Sequence, residues 1–240
     1  MRLKSNISVF ILLIAIGVIS STILNMETSI TQGVDGQYGK IRMPLYAKSI
    51  AFLSRHYEYT RIAKEITAGG GTEEEKALNI LNWTYENIDK DMGNWMPIVD
   101  DHILNIIIRG YGTNDQFQDV FTTLCTYSGL PAFWKKIYDK ERRTWIPLSF
   151  VKIGGRWRVF DAYYNIYFRT RQKEIASVED IVEDRSIVQD AAIDGLECNG
   201  VPYKEFYYNL EPVKAPAVLR AEKQMPIKRV LFELSKRSKI

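Results

Sequence analysis

A change in the spacing of apolar residues near residue 129 constrains the fold more than any other feature. After Asn114 the apolar residues recur at helical intervals, which predicts a helix with one buried face; they are Phe117, Val120, Phe121, Leu124 and Cys125. Gly129 and Pro131 are placed to end this helix. Segments rich in β-branched and aromatic residues follow at 133–139, 144–153 and 156–168. Helices followed by an antiparallel sheet predict an α+β fold.

Upstream of this point the sequence predicts mainly helices. Residues 25–42 are polar and are interpreted as a tether or loop, whereas 45–66 has helical spacing. Thr72 and Glu75 form a capping box that begins another helix. Residues 89–101, which include one tryptophan, Trp95, are interpreted as a loop.

The C-terminal part is interpreted as an extension. Ser177, with Asp180 three residues later, is typical of a helix start. The final stretch is basic and amphipathic, with seven Lys or Arg against two Glu from Arg220 onward. Two alternatives remain open for it. It lies on an anionic membrane surface, or it packs on the domain through four apolar residues, namely Ile227, Val230, Leu231 and Leu234; we expect the packed form.

The N-terminus carries an apolar run. Residues 7–24 contain 18 positions without a charge, close to the roughly 20 that span a bilayer, and follow Arg2 and Lys4. We expect an uncleaved transmembrane helix here; a cleaved signal peptide and a buried helix are the alternatives. Basic residues before the span would place the main domain outside the cytoplasm, periplasmic or at the cell surface.

Composition excludes several kinds of protein. With 46% hydrophobic residues and a net charge of +3, the chain is neither wholly disordered nor basic enough to indicate nucleic-acid binding. The chain has two cysteines, Cys125 and Cys198, which do not form a CxxC pair, and two histidines. This composition argues against a structural zinc site. No metal or other cofactor is predicted. A disulfide between the two cysteines is one alternative for a domain outside the cytoplasm. We expect instead that Cys125 is a small buried hydrophobic residue.

Two blocks resemble a known family. The run from Gly110 to Ala132 is similar to the core motif of the transglutaminase-like superfamily, Gly-x-Cys, a helix, then Gly-Ile-Pro-Ala. The run from Trp145 to Tyr164 is similar to the family's His-Ala-Trp block, which continues through a turn to Gly-x-Trp and Asp. The resemblance covers about residues 72–165. It implies a cysteine-peptidase-like fold, with a helical lobe packed on an antiparallel sheet, and a substrate groove.

The departures from the family motif fall on the catalytic residues. The family's Cys lies 15 residues before the Gly of Gly-Ile-Pro, a place held here by Asn114. The family's His corresponds to Ile146, and its Asp to Asp161. An amide is not a nucleophile at neutral pH and Ile cannot accept a proton, so the resemblance implies a degenerate triad.

Several residues near these positions are candidates for lining a ligand-binding groove. They are Tyr111, Asn114, Asp115, Trp145, Asp161 and Tyr163. Aromatic residues of this kind can bind sugars or peptides, although most in this region are expected to be sheet core. Trp145 and Tyr163 are expected to be exposed. Asp115 also suits the first turn of a helix, and Asp161 can serve as a structural acceptor.

The leading hypothesis is a membrane-anchored, extracytoplasmic transglutaminase-like domain without catalysis, which binds a peptide, a cell-wall element or a polysaccharide-assembly partner in the former groove. The alternatives are an acyl-transfer enzyme with a rearranged site, in which His102 or another base enters the groove beside Asn114 or Asp161, and a structural subunit of a membrane complex. The predicted organisation is 1–26 anchor or signal peptide, 27–71 tether and leading helix, 72–168 transglutaminase-like core, and 169–240 extension with the basic tail.

Overall fold

A computed structural model describes residues 2–34, 37–90, 100, 102–141, 143–189 and 193–237. Most of the loop expected at 89–101, including Trp95, therefore lies outside the described residues. The chain divides into two compact units, 1–55 and 56–240. The candidate site belongs to the second unit.

The first unit contains a helix and a hairpin. Helix α1 spans Arg2–Leu24, and its large apolar side chains from Phe10 onward are exposed. Across the part of the chain whose side chains are described, no helix is both long and apolar enough to cross a membrane, so the predicted transmembrane helix is not supported.

The expectation of a tether or loop at 25–42 was wrong. Strand β1 (Glu27–Val34) pairs antiparallel with β2 (Gln37–Pro44) over all eight residues of each strand. The sequence between the two strands is Asp-Gly, a dipeptide typical of two-residue hairpin connections, and this signal outweighs the polarity of the segment.

Helix α2 (Leu45–Ile66) follows the hairpin and has the predicted bounds. Helix α3 (Glu73–Asn87) begins at the predicted capping box, in which Thr72 and Glu75 each accept the other's backbone N–H. The apolar stretch near 103 forms a short helix, α4 (Ile103–Arg109), which ends at Gly110 with a left-handed φ of 72°.

Helix α5 (Asn114–Tyr127) is the central helix of the second unit. A short parallel pair leads into it: β3 (Asp89–Lys90), just after α3, pairs with β4 (Tyr111–Gly112). Eleven consecutive residues of α5, 116–126, are buried, so both its apolar and its polar side chains face protein. The polar ones therefore need partners inside the domain.

A four-stranded antiparallel sheet follows α5, in the order β5-β6-β7-β8. The first two strands are β5 (Ala132–Tyr138) and β6 (Trp145–Ile153), close to the predicted bounds. The third predicted segment is divided into β7 (Arg156–Asp161) and β8 (Ile166–Tyr167), because a turn through Asn165, with φ of 56°, interrupts it.

The two faces of the sheet pack against different layers. On one face Val151, Ile153 and Phe160 join a buried cluster with residues of α2, α3, α4 and α5. On the other face Ile146 and Leu148 join a second cluster that is formed largely by the C-terminal extension. The extension is therefore part of the core, and the α+β prediction is confirmed.

The extension is built from short elements. Helix α6 (Val178–Glu183) is capped by Ser177 as predicted, and a 3₁₀ helix covers Arg185–Val188. A two-residue hairpin, β9 (Glu197–Cys198) and β10 (Val201–Pro202), precedes helix α7 (Tyr203–Tyr208). A second 3₁₀ helix, Ala221–Gln224, leads to helix α8 (Pro226–Arg237).

The expected packing of the basic tail was wrong. The apolar residues that were expected to pack on the domain are more than half exposed: Ile227 78%, Val230 58%, Leu231 60% and Leu234 57%. Helix α8 instead turns Phe232 toward the domain, where Lys223 of the 3₁₀ helix lies 5.1 Å from its ring centre. The hydrophobic pattern located the helix but could not say which face would be covered.

Candidate functional site

The candidate site lies at the N-terminus of α5, where the chain turns sharply. Thr113 precedes the helix; its hydroxyl donates to Asp115 over 2.6 Å, and its backbone N–H donates to Gln116 Oε1 over 3.3 Å. A Cβ at Gly112 would come within 2.9 Å of that same Gln116 oxygen. That oxygen is the end of a flexible side chain, and the short spacing shows how closely β4 approaches the first turn of α5.

Asn114, at the position that matches the family nucleophile, is half-buried. Its Oδ1 accepts a hydrogen bond of 3.2 Å from Gln118 Nε2 one turn along the helix. Its side chain also lies beside the Tyr203 hydroxyl of α7 and interacts with it. The amide thus lies between two layers of the protein.

Gln118 is the centre of a fully buried polar cluster. Its Nε2 donates to Asn114 and, over 3.1 Å, to Asp161 Oδ1. Its Oε1 accepts from the Ser149 hydroxyl at 2.7 Å and from the Ala162 backbone N–H at 3.2 Å. An amide side chain has two donors and two acceptor positions, so the capacity of Gln118 is used completely.

Asp161 is fully buried at the end of β7. Its Oδ1 accepts from Gln118 and from the backbone N–H groups of Tyr163 and Tyr164, at 2.9 and 3.3 Å. Its Oδ2 accepts from the Tyr203 hydroxyl at 2.5 Å. Burial raises the pKa of this carboxyl above its ordinary value, against the opposing effect of the four hydrogen bonds.

The donors to the Asp161 carboxylate all belong to the protein itself. Three of them, Gln118 and two backbone N–H groups, reach Oδ1, and the Tyr203 hydroxyl reaches Oδ2. In a catalytic triad the carboxylate orients an imidazole. None of these donors is an imidazole, which agrees with the interpretation of Asp161 as a structural acceptor.

Tyr203 joins the extension to this site. It is 98% buried, at 2% exposure, and is the first residue of α7. Burial, followed by the nearby Asp161 carboxylate, raises the pKa of its phenol well above the ordinary value. The hydroxyl therefore keeps its proton at neutral pH and acts as a donor.

Ile146 lies on the face of the sheet that is covered by the extension. It is 1% exposed and belongs to the same buried cluster as Tyr203. Ser149, three residues further along β6, points to the opposite face and donates to Gln118. Among the described residues, no imidazole is hydrogen-bonded to Asn114, Gln118 or Asp161, and the Ser149 hydroxyl is fully buried.

The chemistry available in this arrangement is hydrogen bonding. Asn114 is not a nucleophile, and the Ser149 hydroxyl is inaccessible and engaged with an amide. The carboxylate and the phenol are locked together, each with its proton affinity raised. The residues are thus suited to fixing the helix to the sheet and the extension, and Asn114 is the member that reaches the partly exposed edge.

The predicted groove residues lie in different surroundings. Tyr111 is half-buried under the guanidinium of Arg109, 5.3 Å from its ring centre. Tyr163 and Trp145, which were expected to be exposed, are also only half-buried. Tyr163 packs edge-on against Phe117 at 5.0 Å. Asp115 is bonded to Thr113 in the first helical turn.

Trp145 lies at the start of β6, where Lys136 Nζ is 3.8 Å from its ring centre. Its backbone oxygen lies 3.8 Å from the sulfur of Cys198. These contacts belong to the β5 side of the sheet, whereas Asp161 ends the strand on the other side of β6. In the described part of the chain, no hydrogen bond or ring contact joins Trp145 to Asn114 or Asp161.

His102 and the two cysteines were the other residues considered for chemistry. His102 is half-buried immediately before α4, and its backbone N–H donates to Asp100 over 2.8 Å. Cys125 is fully buried, which raises the pKa of its thiol, and the prediction of a small buried hydrophobe is confirmed. Both cysteines are free thiols.

Within the described ranges, no three His, Cys, Asp or Glu residues are grouped to hold a metal ion.

Two residues of the site were missed by the sequence analysis. Gln118 is four residues after Asn114, so helical spacing alone places it on the same face and could have identified it. Tyr203 is 42 residues after Asp161 and follows a proline in an irregular segment. No local pattern in the sequence connects it to the site.

A second buried charge lies further along α5. Asp119 accepts from Trp134 Nε1 over 2.6 Å and pairs with Arg220 through both carboxylate oxygens. Burial raises the pKa of Asp119 to about 6, against the opposing effects of Arg220 and Trp134. This brace of Asp119, Trp134 and Arg220 ties the chain just before α8 to the central helix.

Comparison with known proteins gives similarity in structure alone. No protein-family model and no curated protein matches the sequence. The structure is similar to a "Putative Cysteine Protease from Cytophaga hutchinsonii", with 18% identity, a TM-score of 0.39, and coverage of 52% of this chain and 44% of the other. It is also similar to a "putative protease from Parabacteroides distasonis", with 14% identity, a TM-score of 0.36, and coverage of 55% and 35%.

A third similar structure is described as a TGase, with 12% identity, a TM-score of 0.38, and coverage of 61% of this chain and 46% of the other. The chain spans less than half the length of all three structures. All three similarities are of low identity and cover part of the chain.

Proposed function

We propose that this protein is a non-catalytic transglutaminase-like domain that binds a ligand or partner beside the N-terminus of α5. The observation that carries the proposal is what occupies the two positions that match the nucleophile and the acid. The fully buried Asp161 accepts from Gln118, Tyr203 and two backbone N–H groups, and none of these is an imidazole for it to orient. The matching nucleophile position holds Asn114, whose amide is not a nucleophile.

The surroundings of Asn114 support a binding role. Asn114, Asp115 and Tyr111 are each partly exposed within five residues of one another. Tyr111 offers an aromatic surface, and Arg109 beside it supplies a positive charge. Aromatic and amide groups of this kind suit sugars and peptides. The ligand classes that we propose are a peptide, a cell-wall fragment or a polysaccharide-assembly partner.

The proposed location is the outer face of a cytoplasmic membrane, with the N-terminal segment as the anchor. The support is the run of 18 uncharged residues at 7–24 after Arg2 and Lys4. Protease protection of the full chain in inverted and in right-side-out membrane vesicles would test this directly. Digestion of the main domain in inverted vesicles, with protection in right-side-out ones, would contradict the proposed orientation.

Soluble peptidoglycan fragments are a suitable first probe because they carry both sugar and peptide. Calorimetric titration of the full chain in detergent would compare the wild type with Tyr111→Ala. The matched control is Tyr57→Ala, at a tyrosine of α2 that is 64% exposed. Binding that is weakened about tenfold or more by the Tyr111 change alone supports the proposal. Equal effects of the two changes would assign the binding to another surface.

A further inference from the structure

Helix α8 presents an apolar face with no cover in the described structure. Ile227, Val230, Leu231 and Leu234 are spaced to share one side of the helix and are 57–78% exposed. The opposite side is occupied, since Phe232 faces the domain with Lys223 and Lys236 above its ring, at 5.1 and 4.5 Å from the ring centre.

The charges of α8 are predominantly basic. Lys228, Arg229, Lys236 and Arg237 stand against a single acid, Glu233. Lys228 contacts Glu222 at 2.6 Å, and Arg229 contacts Glu233 at 2.8 Å. Both are surface pairs with a basic side chain about half exposed, so they hold the cations only weakly and leave their charge available.

We propose that α8 docks on an anionic phospholipid surface, with its four exposed apolar residues in the headgroup boundary and its basic residues against lipid phosphates. An apolar face flanked by Lys and Arg is the pattern of helices that lie in a bilayer interface. The excess of basic residues favours an anionic lipid surface over an apolar protein groove as the partner of α8, because anionic lipid attracts each nearby Lys or Arg. The proposal concerns a surface separate from Asn114 and does not depend on ligand binding there.

The brace positions α8 for this role. Arg220, six residues before the helix begins, is fixed to the buried Asp119 of α5. Leu219 next to it is buried, and its N–H donates to Glu222 over 3.0 Å. The start of α8 is thereby attached to the core, while its apolar side remains uncovered.

A local fluorescent label tests the proposal in the full chain, where the apolar N-terminal segment would obscure a simple sedimentation assay. A Cys198→Ser background leaves Cys125 as the native thiol, and it is fully buried. An environment-sensitive dye is attached at Leu231→Cys on the apolar face. The matched control carries it at Glu233→Cys, an acid two residues away and roughly 160° around the helix.

The vesicles are phosphatidylcholine alone, or phosphatidylcholine with roughly one-third phosphatidylglycerol. The proposal predicts a blue shift and protection from an aqueous quencher for the Leu231 label with the anionic vesicles. About tenfold more anionic lipid should be needed for the same shift in high salt. The Glu233 label should change little under any of these conditions.

Three outcomes would overturn the proposal. Equal shifts for the two labels would mean that α8 does not lie with its apolar face in lipid. An equal shift of the Leu231 label with neutral vesicles would remove the role of the basic residues. A shift that depends on protein concentration without lipid would assign the apolar face to a second copy of this chain.

Discussion

The hydroxyl of Tyr203 donates a hydrogen bond of 2.5 Å to Oδ2 of Asp161. The two residues are 42 positions apart and belong to different parts of the core, the sheet and the C-terminal extension. The contact supplies a donor to Oδ2, whereas the other three donors all reach Oδ1. The extension therefore completes the site, and its loss would leave a buried carboxyl that lacks a donor.

Replacing Tyr203 by Phe should lower the free energy of unfolding by about 1–3 kcal/mol, because it removes a donor from a buried charged acceptor. The structure supplies a matched control on the same helix. Tyr207 is 1% exposed, and its hydroxyl has no hydrogen-bond partner among the described residues. Tyr207→Phe should therefore be neutral or slightly stabilising. Urea unfolding of both variants measures the difference, and equal losses would show that the Tyr203 bond is not special.

Replacing Gln118 by Leu, which is similar in size, should cost about 3 kcal/mol or more. The change leaves the Ser149 hydroxyl and the Ala162 N–H without their acceptor, and it removes a donor from Asp161. Thermal unfolding followed by circular dichroism would measure the loss. A variant within about 1 kcal/mol of the wild type would mean that the polar cluster does not hold α5 to the sheet.

Asp119 should make stability depend on pH. Its pKa is raised to about 6 from an ordinary value of 3.8, so the folded state binds the proton more tightly. The resulting contribution to the free energy of unfolding is fully present below about pH 4 and is lost as pH rises through 6. It amounts to at most about 3 kcal/mol. In Asp119→Asn this part of the pH dependence should vanish. Urea unfolding of both proteins at several pH values measures it. Parallel plots of unfolding free energy against pH for the two proteins would contradict the prediction.

Replacing Arg220 by Ala should release the segment that precedes α8. The change leaves Asp119 buried with Trp134 as its remaining side-chain donor, and we expect a loss of about 1–2 kcal/mol, reduced because Arg220 is half exposed. Hydrogen exchange should accelerate across 219–237. Arg229→Ala, which breaks only a surface pair on α8, is the control and should cost less than about 0.5 kcal/mol. Similar exchange in the two variants would refute the role of the brace.

The sequence predicted the elements better than their environments. Helix α5, the capping boxes at Thr72 and Ser177 and the strands after Pro131 follow from local rules, and the structure confirms them. The hairpin at 27–44 was missed because polar composition was given more weight than its Asp-Gly pair. The packing of α8 was missed because a helical period shows that an apolar face exists but not what covers it.

For the candidate site, too, local patterns identify some residues, whereas others depend on the tertiary structure. Asn114 and Asp161 were identified through motif spacing, and Gln118 could have been found from its position one turn after Asn114. Tyr203 could not, since its part in the site depends on the folding of an irregular segment back onto the sheet. The set of donors around the Asp161 carboxylate is likewise a tertiary property that spacing does not reveal.

The most direct test of the account is to ask whether a ligand is bound and recovered unchanged. The full chain is incubated with soluble peptidoglycan fragments and an amine, and the mixture is analysed by mass spectrometry beside Asn114→Ala. The account predicts intact fragments and no incorporated amine, at the level of a protein-free blank, for both proteins. Cleaved or amine-linked products from the wild type that disappear in Asn114→Ala would show that the site is catalytic and would contradict the account.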